Sequence, residues 1–174
     1  MTTYTLSKTS PTNTALIDPS GTTVYEVTTP FKLQDRSTTI TREGQTVATI
    51  HWKVIGKSTF TIGDRTSTID AAFPRTKALS LSRIYTSDTG HKFKWKAGSK
   101  LYCISEETGL NLATYYRNPF YLITAKKSTL DISASGAPFA DELILTWVIM
   151  EKKARDRRRA ARNGGGGGGG GDGG

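Results

Sequence analysis

The feature that most constrains the fold of this chain is a dense apolar run, residues 143–150, near its C-terminal end. Apart from Thr146, every residue of the run is apolar. The run is too short for a membrane anchor, because a spanning helix needs about 20 apolar residues. As a helix it is apolar around its full circumference, which is typical of a helix buried on all sides. Its Ile, Val, Thr and Trp content also suits a buried strand, and periodicity does not separate the two.

The residues on either side of the run favour the helix over the strand. Pro138 suits the first turn of a helix, where its missing N–H donor costs nothing. Asp141 and Glu142 would then lie at the positive end of the helix dipole, and the Lys and Arg residues that follow the run would lie at the negative end. These flanks predict one long helix near residues 136–160, with a final buried strand as the open alternative.

Before this segment, short alternating stretches predict a mainly β protein. Strand signals recur about every 8–12 residues with turn signals between them, which is typical of an antiparallel sandwich or barrel. About eight strands or more are expected, and no helical periodicity precedes residue 136. The Arg-Glu-Gly turn at residues 42–44 predicts a hairpin with Gly44 in the left-handed conformation. Alternation after it gives one expected core face: Ala48, Ile50, Trp52 and Val54.

The order and spacing of these pieces resemble a family of small fungal proteins known only as a domain of unknown function (number 6593). The matching pieces are YTLSKTSPTNTALIDPSGTTVYEVTTPFKL, STTITR, ATIHWKV, SRIYTSDTGHKFKWK and ADELILTWVIMEKKARDRRR. That family is in turn similar to the tubby C-terminal-like group, which includes the LURP-one and phospholipid scramblase domains. The resemblance implies a closed antiparallel β-barrel, with the apolar helix through or against it and the basic segment beginning where the helix leaves the barrel. Some tubby-like relatives bind phosphoinositide, but none of their lipid-binding motifs matches here, so no site is carried over.

Length and composition indicate a single domain, residues 1–160, followed by a disordered Gly-rich tail, residues 161–174. The last eleven residues are glycines with one aspartate, and such a segment has no side chains to pack. The single cysteine and the absence of a signal-peptide pattern predict an intracellular protein, cytoplasmic or nuclear. The net charge of +9 favours an anionic partner, although solubility alone explains it equally well.

Nothing in the sequence has the pattern of a catalytic, cofactor-binding or metal site. His51 and His91 have no ligand partners at metal-site spacing, and Cys103 has the alternation of a small core residue. The acidic pairs at residues 106–107 and 141–142 have ordinary roles in a turn and at a helix start. The sequence therefore predicts no enzyme, no cofactor and no metal.

Two basic features remain as candidate anion-binding sites. The first is a stripe on one strand face, formed by Lys92, Lys94 and Lys96, with Lys100 close to it. The second is a basic segment after the apolar run, formed by Lys152, Lys153, Arg155, Arg157, Arg158, Arg159 and Arg162. Either feature contacts phosphates or is a solvated, solubilising surface.

Three functions follow from these features. The first is a non-enzymatic binding module that engages anionic lipid or another acidic partner. The alternative is a nuclear or nucleic-acid-associated protein that uses the basic segment for nonspecific, salt-sensitive binding, since that segment has no aromatic residue to stack on bases. The third, an enzyme with dispersed catalytic residues, has no motif in its favour.

Overall fold

The computed structural model describes residues 1–31, 36–98, 100–118 and 126–164. Within these ranges the strands are β1 Thr2–Leu6, β2 Thr14–Ile17, β3 Thr23–Thr28, β4 Arg36–Arg42, β5 Gln45–Trp52, β6 Thr59–Ile62, β7 Arg65–Thr68, β8 Arg83–Thr86, β9 Lys92–Ala97, β10 Leu101–Ser105, β11 Asn111–Tyr116 and β12 Thr129–Ile132. The helices are α1, Ile69–Ala72, and α2, Ala140–Gly164, and a 3-10 turn at Ala137–Phe139 precedes α2. The prediction of a mainly β chain that ends in one long helix is confirmed. The four-residue helix α1 was not expected.

All twelve strands belong to one antiparallel sheet. Their order is β7-β6-β5-β4-β3-β2-β1-β12-β11-β10-β9-β8, and β1 pairs with β12 in the middle of the sheet. The hairpin at residues 42–44 forms as predicted, with Gly44 at φ 82° and Glu43 also left-handed at φ 50°. Two positive φ values in a two-residue turn match the right-handed twist of the strands that the turn joins.

The expected closure into a barrel is not made by backbone pairing among the described strands. The ladder ends at β7 and β8, which are both only four residues long. The two edges meet instead through the side chain of Arg65 in β7. Its guanidinium donates to the carbonyl oxygen of Thr86 in β8 at 2.9 Å and to Asp88 at 2.8 Å. The sheet is therefore curled but open.

One residue of the expected core face is wrongly assigned. Ala48 and Ile50 are buried and Trp52 is half-buried, but Val54 is 92% exposed. The physical reason is that β5 ends at Trp52, and the chain then enters a loop in which Gly56 takes a φ of 99°. Alternation stops where the pleated backbone stops.

The apolar run lies inside the curled sheet. Every residue from 143 to 150 is at most 2% exposed, so the helix prediction is confirmed and the strand alternative is wrong. Strands from different parts of the sheet contact α2. Trp95 of β9 donates its Nε1–H to the Thr146 hydroxyl at 2.8 Å, and the ring centroids of Tyr115 in β11 and Trp147 are 5.4 Å apart. On the other side, the Tyr25 hydroxyl of β3 donates to Asp141 at 2.6 Å.

Helix α2 extends beyond the expected end of the domain at residue 160. It continues to Gly164, so the first residues of the predicted tail are helical. The rest of that tail, residues 165–174, lies outside the described residues, and its disorder stays a prediction.

Burial of the helix gives a direct test of the fold. We expect Leu145→Ala to lower the free energy of unfolding by about 2–5 kcal/mol, because it opens a cavity at a site with no solvent exposure. The matched control is Leu79→Ala, since Leu79 is 96% exposed and its truncation should change stability by about 0.5 kcal/mol or less. Urea unfolding followed by tryptophan fluorescence measures both. Equal effects of the two changes would contradict a helix enclosed by the sheet.

Candidate anion-binding surface

Helix α2 gives the molecule two distinct ends. Its first turn carries Asp141 and Glu142, and its last turns, half-buried at first and then exposed, carry the basic segment. The Lys152 ammonium lies 4.7 Å from the ring centroid of Trp52, the last residue of β5. The end of β5 and the exit of α2 are therefore at the same level. We call the end of the molecule at which α2 leaves the sheet the basic end, and the opposite end the acidic end.

Antiparallel pairing assigns each connecting loop to one of these ends. Loops that follow odd-numbered strands lie at the basic end, with the end of β5, and loops that follow even-numbered strands lie at the acidic end. The described parts of the basic-end loops hold nine cations: Lys8, Lys53, Lys57, Arg75, Lys77, Lys100, Arg117, Lys126 and Lys127. In the same parts Asp70 is the single carboxylate.

The acidic-end loops have the reverse composition. They hold six carboxylates and no Lys or Arg: Asp18, Glu43, Asp64, Asp88, Glu106 and Glu107. The α2 dipole has its positive end among these carboxylates and its negative end among the cations, so each end stabilises the charges next to it. The charge of the connecting loops is thus separated along the helix axis.

The densest part of the basic end is a cavity lined by arginines. Arg155, Arg158, Arg159 and Arg162 follow the spacing i, i+3, i+4 and i+7, so they share one face of α2. With Arg117 after β11 and Thr9 after β1, they line a cavity of about 260 Å³. We call it the arginine cavity.

Glu151 is the carboxylate that lines the arginine cavity. It is buried, and its Oε1 accepts from Arg158 at 2.5 Å. Burial raises the pKa of Glu151, while Arg158 and Arg117 pull that pKa down. Burial and the nearby Arg159 lower the pKa of Arg155. Five guanidinium groups around one carboxylate leave an excess of positive charge and of N–H donors. An incoming oxyanion would neutralise that charge and accept hydrogen bonds from those donors.

A second cavity, of about 510 Å³, adjoins the arginine cavity, since Arg117, Glu151 and Arg158 line both. Its other walls include Leu101 and Tyr116. The joined site has a cationic side and an apolar, aromatic side. This arrangement suits an anion that carries an apolar or aromatic group.

The remaining cations of the basic segment lie on other faces of α2. Lys152 donates to Asp156 at 2.6 Å, one helical turn further along. The Lys153 ammonium is 4.0 Å from Asp70, and burial lowers the pKa of Lys153. Burial and the nearby Arg75 lower the pKa of Arg157. The basic segment is therefore distributed around the helix, with four arginines in the cavity.

The lysine stripe of β9 is not brought together with the basic segment. Lys92 is at the acidic-end start of the strand, and Lys94 donates to Glu106 at 2.7 Å. The Lys96 ammonium is 5.8 Å from the ring centroid of Tyr102. Lys92, Lys94 and Lys96 run along the outside of the sheet and have a carboxylate of their own, Glu106, so they form a surface separate from the basic segment. Lys100 differs, because it follows β9 at the basic end and lines the second cavity with Arg117 and Arg158.

Apart from Lys100, sequence reasoning missed the cations that the basic-end loops add, above all Arg117. It also missed the pairs at Lys53 and Lys57 and at Arg75 and Lys77. A usable signal was present in the turns, because the chain alternates acidic turns with basic ones. To assign these turns to two ends of the molecule, one must know that every pair of neighbouring strands in the sheet is antiparallel.

The sequence candidates for chemistry have ordinary structural surroundings. Cys103 has no exposed surface, and burial raises the pKa of its thiol, so the thiolate is not populated at neutral pH. Nδ1 of His51 is 2.8 Å from the Ser37 hydroxyl, and Nδ1 of His91 is 2.9 Å from the Thr89 hydroxyl. In the part of the chain that the structure describes, no His, Cys, Asp and Glu side chains group as metal ligands. Among the described helices, none combines the length and apolarity needed to cross a bilayer.

Comparisons with known proteins identify the family. The profile of the family of unknown function DUF6593 matches residues 9–156, and the chain belongs to that family. Among solved structures, the fold is similar to the crystal structure of an Arabidopsis thaliana protein, with a TM-score of 0.51 and 14% sequence identity. The alignment covers 88% of this chain and 91% of the plant protein. The curated proteins contain no significant match.

Proposed function

We propose that this member of DUF6593 is a non-enzymatic binding module whose basic end engages phosphate groups of anionic lipid or of another acidic partner. The observation that carries the proposal is the separation of charge between alternate loops. Nine cations and one carboxylate lie in the described basic-end loops, against six carboxylates and no Lys or Arg in the acidic-end loops. If surface charge served solubility alone, cations would have no reason to follow odd-numbered strands or carboxylates to follow even-numbered ones.

Binding would proceed in two steps. The field of the basic end first attracts and orients an acidic surface, and salt weakens this step because exposed charges are screened within about 8 Å at physiological ionic strength. The arginine cavity then supplies short-range donors. Guanidinium groups offer paired N–H donors that fit phosphate oxygens better than an ammonium does. Arg158 would exchange its bond with Glu151 for one with the incoming anion.

We also propose that the chain is a divergent relative of the tubby C-terminal-like barrels and acts inside the cell, in the cytoplasm or nucleus. The sheet curled around an apolar C-terminal helix supports the relationship. The open edge between β7 and β8 is a departure from a closed barrel. Nucleic acid is the competing acidic partner inside a cell, so duplex DNA is included as a ligand in the binding experiments.

The first test compares two triple variants that remove the same charge. Arg155, Arg158 and Arg159 are changed to Ala in one variant, and Lys92, Lys94 and Lys96 in the other. We expect the arginine variant to lose about tenfold or more of its affinity for phosphatidylserine-containing liposomes, because each cation near an anionic surface contributes about 1 kcal/mol. The lysine variant should stay within about twofold, since its stripe lies along the outer face of the sheet, where Lys94 is paired with Glu106.

Liposome co-sedimentation over a salt series measures both variants, with duplex DNA as a parallel ligand. Equal losses in the two variants would mean that only net charge matters and would contradict a site at the basic end. Failure of the unaltered protein to bind liposomes, DNA or a soluble polyphosphate at low salt would overturn the proposed function itself.

The second test uses the internal carboxylate of the arginine cavity. We expect Glu151→Gln to raise the affinity for inositol hexakisphosphate about three- to tenfold, because the neutral amide no longer competes with the ligand for Arg158. Glu106→Gln is the matched control, since Glu106 pairs with Lys94 on the outside of the sheet and should leave affinity unchanged. Isothermal titration calorimetry measures the two constants. A weaker complex with Glu151→Gln would contradict anion binding in this cavity.

A further inference from the structure

Exposed apolar side chains are concentrated at the basic end. Among the described residues, eight large hydrophobic side chains are exposed. Two of them, Met1 and Leu110, lie at the acidic end, at the start of β1 and after β10. Six lie at the basic end: Phe31, Val54, Ile55, Leu79, Leu81 and Tyr116. Apolar surface and positive charge therefore occupy the same end of the molecule.

The loop after β5 presents the first apolar tip. Val54 and Ile55 are 92% and 90% exposed, and Lys53 and Lys57 stand on either side of them. The base of the loop is fixed, because the Lys53 backbone N–H donates to the Ser58 hydroxyl at 3.1 Å. The two aliphatic side chains thus project from an ordered loop and do not fold back on the core.

The loop between α1 and β8 presents the second tip. Leu79 is 96% exposed, with Arg75 and Lys77 before it. Its base is held by the buried Arg83, whose guanidinium donates to Asp70 at 2.9 Å and to the Phe73 carbonyl oxygen at 2.5 Å. This loop has the same arrangement as the first one, an aliphatic tip beside cations.

Helix α2 connects both loops to the exit of the basic segment. Lys152 lies over Trp52 at the base of the first loop, and Lys153 lies 4.0 Å from Asp70 at the base of the second. Consecutive residues of one helix therefore fix both loops at the same level. The two tips and the arginine cavity belong to one end of the molecule.

We infer that the basic end docks on the surface of an anionic lipid bilayer, with Val54, Ile55 and Leu79 inserted between the headgroups. This inference rests on the proposed function and specifies its partner. A nucleic acid or a soluble phosphate neutralises the cations but offers no apolar phase for three aliphatic tips. A bilayer offers both, because aliphatic groups enter the acyl boundary while lysine and arginine heads stay at the phosphates. The long axis of α2 then points its C-terminal end toward the membrane.

The test separates apolar insertion from charge. Val54, Ile55 and Leu79 are changed together to Ser, which leaves every charge in place. Vesicles of phosphatidylcholine and phosphatidylserine, inositol hexakisphosphate and duplex DNA are the three probes. We expect about tenfold or more loss of vesicle affinity, because three aliphatic side chains no longer leave water, and less than about twofold change for the two soluble anions.

Leu110→Ser is the control for loss of an exposed aliphatic group at the other end, and it should bind vesicles like the unaltered protein. The tip variant should unfold at the same temperature as the unaltered protein, because its three side chains are almost fully exposed. Unchanged vesicle affinity in the tip variant, with soluble anions still bound, would overturn insertion and leave the proposed function standing. Tight DNA binding without vesicle binding would also overturn insertion.

Discussion

Burial of the apolar run of α2 by a single curled sheet determines how the other parts of the protein are arranged. Residues 143–150 are apolar on every side, so no element that covers only one face could bury them. The sheet does so by bending until strands as far apart as β3 and β11 contact the same helix. Trp95 is paired across this core with Thr146, while the indole N–H of Trp147 is buried without a hydrogen-bond partner among the described residues. The helix in turn fixes the point at which the basic segment enters solvent.

Charge separation follows from this arrangement. Because every hydrogen-bonded pair of strands in the sheet is antiparallel, the acidic and basic turns that alternate along the chain collect at opposite ends of the helix. The basic end then combines three elements: cations on loops, arginines around a cavity and aliphatic loop tips. Each alone is an ordinary surface feature. Their combination at one end is what favours an anionic bilayer over a soluble anion.

Local sequence patterns, such as turn residues and apolar runs, made much of the fold predictable. Gly44 identified a hairpin, Asp141 marked the start of α2, and the apolar run indicated complete burial. Pro138 lies in the 3-10 turn just before the helix and not in its first turn. Features that depend on distant residues were not predictable. Gly136, for instance, would place a Cβ 2.3 Å from the carbonyl oxygen of Leu112, a close approach that no local pattern encodes.

The candidate site was predicted only in part, for the same reason. Its four helical arginines follow from helical spacing, but Arg117 joins them through the sheet order. Val54 was assigned to the core because the alternation of β5 was extended past the end of the strand at Trp52. That error concealed the loop tip on which the membrane inference depends.

The depth of single labels on vesicles shows which end of the protein contacts the bilayer. The buried Cys103 has a raised thiol pKa and is protected from labelling in the folded protein, so Ile55→Cys and Leu110→Cys can each carry one environment-sensitive fluorophore. On phosphatidylserine-containing vesicles we predict a blue shift and quenching by lipid-attached quenchers at position 55, with no change at position 110. A label at position 55 that stays in water on bound protein, or a label at position 110 that enters the bilayer, would contradict docking through the basic end.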